Sequence, residues 1–373
     1  MMSSTLSSTL RSTPLRLAAT LAALALLPAL ASPAGATRTF SLPGDDVAIW
    51  NPAGEVHIEP AAGNAVEVEV SPMGRDAADL AFNDQPLGGR PTLRVLYPHD
   101  RIVYPPMGRW SNTNTEIRSD GTWGKSHNGL SFLGRRLTIK GSGSGTEAWT
   151  DLVVRVPRGR KVSVYSLAGA GQIRNVDGRL FFDGGSGSVQ VEKGRGTLSL
   201  DLGSGGVEVA GFEGDLDVDT GSGGVRVTDV HGARVHLDTG SGSVTGERVS
   251  AAELLVDTGS GSVDLSEVDA QRAKLDTGSG GVDLALLSRT PDLDIDTGSG
   301  SVRVTVPQDF SARLHIETGS GGIHSDLPVT IEEKDTGLLR GTVGSGTGRL
   351  HVDTGSGGVS LLANATTTHT RAR

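Results

Sequence analysis

The string Asp-Thr-Gly-Ser at Asp296 is the one aspartic proteases carry around a catalytic carboxylate, and that chemistry needs two such acids brought together to share a proton. In this chain Asp-Thr-Gly-Ser-Gly begins at Asp219, Asp238, Asp257, Asp276, Asp296 and Asp353, and near-copies begin at Asp183, Asp201 and Glu317. From Asp183 to Glu317 the steps are 18, 18, 19, 19, 19, 20 and 21 residues. Every copy has the same flanks and none has a distinct partner, so the match to a protease motif is produced by a repeat.

The residues around each acid give the repeat a structure. Leu198, Leu216, Val235, Leu254, Ala273, Leu293, Leu314 and Leu350 stand three positions before it. Leu200, Val218, Leu237, Val256, Leu275, Ile295, Ile316 and Val352 stand one before. With period two, both columns and the following Thr share one strand face, and the acid points the other way. After the glycine turn a second strand starts at Val207, Val225, Val244, Val263, Val282, Val302, Ile323 and Val359. Each unit therefore reads as strand, glycine turn, strand, variable loop. Neither strand can bury its apolar face alone, so the units must stack as parallel rungs about 4.8 Å apart. The expected fold is all-β: a two-faced parallel β-solenoid of 18–21-residue rungs over residues 151–362, preceded by an irregular N-terminal cap or insertion. A left-handed hexapeptide helix and a calcium-binding nonapeptide roll both fail on spacing, the first on its six-residue apolar period and the second because its acid follows the glycines.

Stacked carboxylates repel, and something must offset that. The simpler expectation is that each Asp accepts hydrogen bonds from amides of its own turn. The alternative is a Ca²⁺ ladder on Asp219, Asp238, Asp257, Asp276 and Asp296. The turn glycines are expected to supply positive φ. No His keeps a fixed offset from the turn serines, so a triad is not indicated.

Arg11 and Arg16 precede an apolar run, Leu17 to Leu30, and Ala34-Gly35-Ala36 offers a small-x-small cleavage pattern. Residues 1–36 thus read as an export signal, the run falling short of the roughly 20 residues a span needs. Removing its two arginines takes the formal charge from −9 to −11, which argues against nucleic-acid binding. Cysteine is absent, excluding disulfides, thiol nucleophiles and a lipid-bearing cysteine. No second apolar run reaches spanning length, so no transmembrane span is expected in the mature chain. The nine histidines lack zinc-ligand spacing, the glycine turns lack the Lys-Ser/Thr of a phosphate loop, and no cofactor is implied. Residues 363–373 form a polar tail expected to be disordered.

Residues 37–150 behave differently: one strand-turn-strand near the start, then an irregular stretch from 71 to 150. Twelve of the chain's 14 aromatic residues lie between Phe40 and Phe182, including all four tryptophans. From Arg101 to Lys161 there are 11 basic and 4 acidic residues. Such a mixture suits an envelope glycan or anionic polymer, with Trp110, Trp123, Trp149, Arg109, Arg135 and Arg136 as candidate contacts. The competing expectation is that these rings close the open end of the solenoid.

The rungs, the segment VRVTVPQDFSARLHIETGSGGI with Val306-Pro307, and the closing GTVGSGTGRLHVDTGSGGVSLL resemble the bacterial DUF4097 family of adhesin-like β-strand-repeat proteins. The resemblance covers residues 150–362 well and 45–70 loosely. It implies an exported envelope protein, linked in some members to surface attachment and in others to envelope-stress signalling, with no catalytic residues. The leading expectation is a non-enzymatic binding or scaffold module of the bacterial envelope, with residues 97–161 as its contact surface and a glycan or an envelope protein as partner. A polysaccharide-active β-helix enzyme or an envelope-stress sensor is the alternative.

Overall fold

The computed structural model describes residues 35–124 and 134–364. The expected export signal and the expected tail lie outside the described residues, apart from residues 35–36 and 363–364. Every regular element described is a strand except two single 3₁₀ turns, Ala77–Asp79 and Pro105–Met107. No described helix is long and apolar enough to cross a membrane.

The rod is a parallel β-solenoid. Strands Val189–Ser204, Val207–Thr220, Val225–Thr239, Val244–Thr258 and Val263–Thr277 each cover most of one coil and pair in register with the next. The predicted columns are real: Leu216, Val235, Leu254 and Ala273 pair in succession, as do Val218, Leu237, Val256 and Leu275, and all are buried. Burying each Val or Leu contributes about 1.5–3 kcal/mol, so the core runs as a continuous apolar seam.

The segment read as a variable loop is instead a paired corner. Asn175, Lys193, Asp229, Arg248 and Glu267 occupy the left-handed region, with φ of 52–55°, at the same level of successive coils. Gly211 takes the same place in its coil with φ of 72°, and the residue after the left-handed one turns inward: Val176, Phe212, Val230, Val249 and Val268 are all buried, while Lys193 is followed by Gly194, which lies against the Phe212 ring. A left-handed residue reverses the inside–outside parity, which is why strict alternation lost this column.

The turn glycines have the expected positive φ in the first coils, at Gly169, Gly187 and Gly205, but not in the later ones. Gly223, Gly242, Gly261, Gly280 and Gly300 do not have positive φ. They are needed because backbones approach closely: a Cβ on Gly261 would lie 1.7 Å from the Gly242 carbonyl oxygen, and one on Gly280 1.8 Å from that of Gly261. Hydrogen bonding in the turn belongs to the buried threonine, not to the aspartate. The Thr258 hydroxyl accepts the Gly261 N–H (3.0 Å) and donates to the Gly242 carbonyl of the preceding coil (2.9 Å). The same pair of bonds recurs at Thr220, Thr239, Thr277, Thr297, Thr354 and Thr318.

Both ends depart from simple succession. At the first, Asp46–Ala53 pairs with Lys161–Ala168 in parallel register, although about a hundred residues intervene. Within the stretch 71–150, expected to be irregular, Thr92–Leu96 is a strand that extends one face, and Trp149–Pro157, which begins at the end of that stretch, extends the other. Antiparallel Val66–Met73 and Arg38–Leu42 then close it. At the far end the last coil in sequence, Gly348–Thr354 with Val359–Ala363, does not stack last. It pairs with Asp292–Thr297 and Val302–Val306 on one side and with Ala312–Thr318 and Ile323–Ser325 on the other. The hairpin Val329–Asp335/Leu338–Val343 then covers Ala312–Thr318 in antiparallel pairing. Its outer strand exposes Glu332, Glu333, Lys334 and Asp335, charges that discourage edge-to-edge pairing.

Candidate binding surface

The cap is held to the rod by a second hydrophobic core on the outside of the first coils. Trp50 and Leu167 project from the coils and meet Leu80, Val95, Tyr97, Tyr104, Trp123, Leu137 and Ile139 from the insertion. Trp50 stacks on Tyr165 of the neighbouring coil, rings 4.6 Å apart and 3° from parallel. Most of the aromatic cluster is thus cap adhesive. Trp123, a candidate contact, is only 4 % exposed and belongs to this core, and Trp149 is half-buried with its ring edge against Tyr104. Arg135 is engaged internally, ion-paired with Asp100 and donating to the Tyr97 carbonyl. Burial pushes the Tyr97 and Tyr104 hydroxyls well above the usual phenol range, so both stay neutral.

What remains free for a partner is the opposite face of a small sheet formed by Arg101–Val103, Asn112–Ile117 and Arg135–Lys140. Alternation sends Ile102, Ile117, Leu137 and Ile139 into the second core. The other face carries Arg101, Arg136, Thr138, Lys140, Asn112, Asn114 and Glu116 in paired register. Among the described residues no hydrogen bond or ion pair engages the side chains of Arg136 and Lys140, whose backbones are held in the sheet. Beside this face stands Trp110, 88 % exposed, with the Arg109 guanidinium 5.5 Å from its ring centre. An open cleft of about 660 Å³ adjoins the sheet, lined by Asp76, Asp79, His99, Arg101, Arg136 and Ser144. Asp76 is held below the usual carboxylate range by the backbone N–H of Glu147, with Arg75 helping. Three candidates therefore stay on an accessible surface, Trp110, Arg109 and Arg136. Arg101, Lys140, Asn112 and Asn114, which the sequence reading missed, join them; the alternation in RRLTIK and NTNTEI was the available signal.

The acids form the expected column, running Asp183, Asp201, Asp219, Asp238, Asp257, Asp276, Asp296, Asp353 and Glu317. Among the described residues no hydrogen bond or ion pair reaches the side chains of Asp219, Asp238, Asp257, Asp276, Asp296 or Asp353. Asp238 and Asp276 are pushed up by partial burial first and then by the like charges above and below. Four positions upstream on the same strands the sequence alternates sign instead: Arg234 and Arg272 both reach Glu253, and Arg272 and Arg349 both reach Asp292. Asp296 sits between two equals, which removes any reading as a singular catalytic acid. Among the described residues no group of three His, Cys, Asp or Glu side chains is placed to hold a metal ion.

The Toastrack DUF4097 family model matches residues 123–362, taking in the last part of the cap and the rod from Trp149 on, while the loosely similar stretch 45–70, which supplies the first coil, lies outside it. No curated protein matches the chain. Among solved structures it is similar to one described as a "putative cell adhesion protein" from Clostridium sporogenes, at 8 % identity, covering 88 % of this chain and 99 % of that one with a TM-score of 0.22. The match of the family model over more than half of its length establishes that this chain belongs to the Toastrack DUF4097 family.

Proposed function

We propose that the protein is an exported, non-enzymatic binding module of the bacterial envelope, in which the rod is a rigid acidic scaffold and the outer face of the cap sheet grips an anionic envelope glycan. The observation that carries this reading is Trp110. A tryptophan left 88 % exposed, beside a face of unpaired Arg136 and Lys140, offers a stacking platform with cations at hand. Asn112 and Asn114 add hydrogen-bonding groups for sugar hydroxyls. The leader expected at residues 1–36 and the family's adhesin-like character support location outside the cytoplasm, in the periplasm or at the surface.

Binding of residues 37–373 to lipopolysaccharide and peptidoglycan tests it, with Trp110→Ala and Arg136→Ala variants in parallel. The expected result is binding that weakens at least tenfold in each variant and falls with salt, while the melt is unchanged because both side chains are exposed. Equal binding by wild type and both variants would remove the cap face from consideration. A Trp123→Ala variant is unsuitable for this purpose, since it removes a core residue.

A further inference from the structure

The out-of-order coil at the far end of the rod has a consequence for association. The interface between coil 292–306 and coil 348–363 consists of two parallel ladders, with Leu293, Ile295, Val302 and Val304 on one side and Leu350, Val352, Val359 and Leu361 on the other. All eight side chains are buried. Residues 312–363 also pair extensively among themselves, through Ala312–Thr318 with Gly348–Thr354, Ile323–Ser325 with Val359–Ala363, and the hairpin on top. This terminal module is therefore seated on the rod by a surface in its own middle, and the only covalent link across the junction is Pro307–Ser311, which must pass beside coil 348–363.

We infer that this junction is an exchange site, in which the terminal module of a second copy of this chain seats on coil 292–306 in place of its own. The two ladders across the junction are the same within one chain or between two, so exchange keeps them, and what opening gives up is the linker's own packing, the buried Phe310 ring and the Arg289–Asp309 ion pair. Only the linker must change. In one chain it folds back through a turn in which the Phe310 N–H donates to the Pro307 carbonyl (3.0 Å). Opened out, five residues reach roughly 17 Å, more than the two coil spacings of about 9.6 Å it now crosses. Short hinge loops of this kind favour exchange between protomers. The coils offer no counter-specificity, since each presents the same Leu, Val, Asp and Thr columns to its neighbour.

The absence of cysteine permits a direct test in the full mature chain. Arg303 and Ser360 are register partners across the junction and both face outward. The double variant Arg303→Cys/Ser360→Cys is expected to close a disulfide within one chain, confirming that the two coils are neighbours. The single variants Arg303→Cys and Ser360→Cys are then mixed, unfolded together and refolded under oxidising conditions, at protein concentrations approaching the millimolar effective concentration of a short tether. The expected product is a covalent heterodimer at about ten times the yield of a control mixture of Ser360→Cys with Thr245→Cys, which lies in the same outward column four coils from Ser360. Monomer alone in the mixed sample, or a yield no higher than the control, overturns exchange. Failure of the double variant to close overturns the seating on which it depends.

Discussion

The coils between residues 177 and 306 and the cap between residues 62 and 160 are both built from short strands, but they are stabilised in opposite ways. In the coils the turn and its columns are duplicated: a turn glycine lies against a turn glycine, a threonine bonds to the preceding turn, and valine packs on valine. In the cap each contact is singular, and the core is assembled from individual rings such as Trp123, Tyr97 and Tyr104. The difference teaches where a defect travels. A fault in the coils interrupts a column shared by all neighbours, whereas a fault in the cap stays on the outside of the first coils.

Two substitutions would break or sharpen that contrast. Gly261→Ala has the largest expected effect, because its Cβ would sit 1.7 Å from the Gly242 carbonyl and two laddered backbones would have to separate. The expected cost is at least about 3 kcal/mol, and the melt should lose its single cooperative transition as the rod divides near its middle. A wild-type melt would show that the turns are spaced more loosely than the columns require. Trp123→Ala removes a large ring from the second core and is expected to cost the cap about 3–5 kcal/mol. Hydrogen exchange should then accelerate in Arg135–Lys140 and Asn112–Ile117 while the protection of Val225–Thr239 stays unchanged. Equal loss of protection in the rod would show that cap and coils fold as one unit.

The same contrast governs how much could be read from the sequence. The two apolar columns beside each Asp, and the outward register of the acids, are legible because period-two alternation is repeated at least eight times. The corner is not legible by that rule, since Asp229, Arg248 and Glu267 adopt positive φ and shift the parity. An apolar residue five positions after the leading valine in four consecutive units, Val207 to Phe212, Val225 to Val230, Val244 to Val249 and Val263 to Val268, was the overlooked signal. Nor could periodicity distinguish Thr from Asp as the bonding residue in the turn, because both are short acceptors at adjacent positions. The order of the final coils is hidden for the reason that makes exchange feasible: identical columns fit any neighbour. In the cap, composition cannot separate Trp110, which faces solvent, from Trp123, which lies in one core with Tyr97 and Ile139.

The smallest predicted effect concerns the one column whose repetition is unfavourable. Asp238 and Asp276 flank Asp257, and their carboxyls are raised by partial burial and then by like charges, with Asp219 and Asp296 as the further neighbours and His236 and Lys274 opposing the shift. A carboxyl raised in the folded state binds protons more readily there than in the unfolded chain. Its unfavourable contribution is full above the folded value, and it fades as the pH falls through that value toward the ordinary 3.8. Asp257→Asn should therefore stabilise the protein at neutral pH by about 1 kcal/mol or less, since Asp257 is exposed and its two neighbours are only partly buried, within reach of solvent and salt. The gain should shrink toward zero between neutral pH and about pH 4, and shrink likewise in high salt at pH 7. Asp46, Asp76, Asp229, Asp309 and Glu317, whose carboxyls are lowered, weaken the fold on acidification in both proteins and cancel in the difference. Thermal melts of the two proteins across that pH range decide the matter. A gain that persists unchanged at pH 4 would mean that the asparagine amide stabilises by bonding along the column, and that charge repulsion between coils is too well screened to matter.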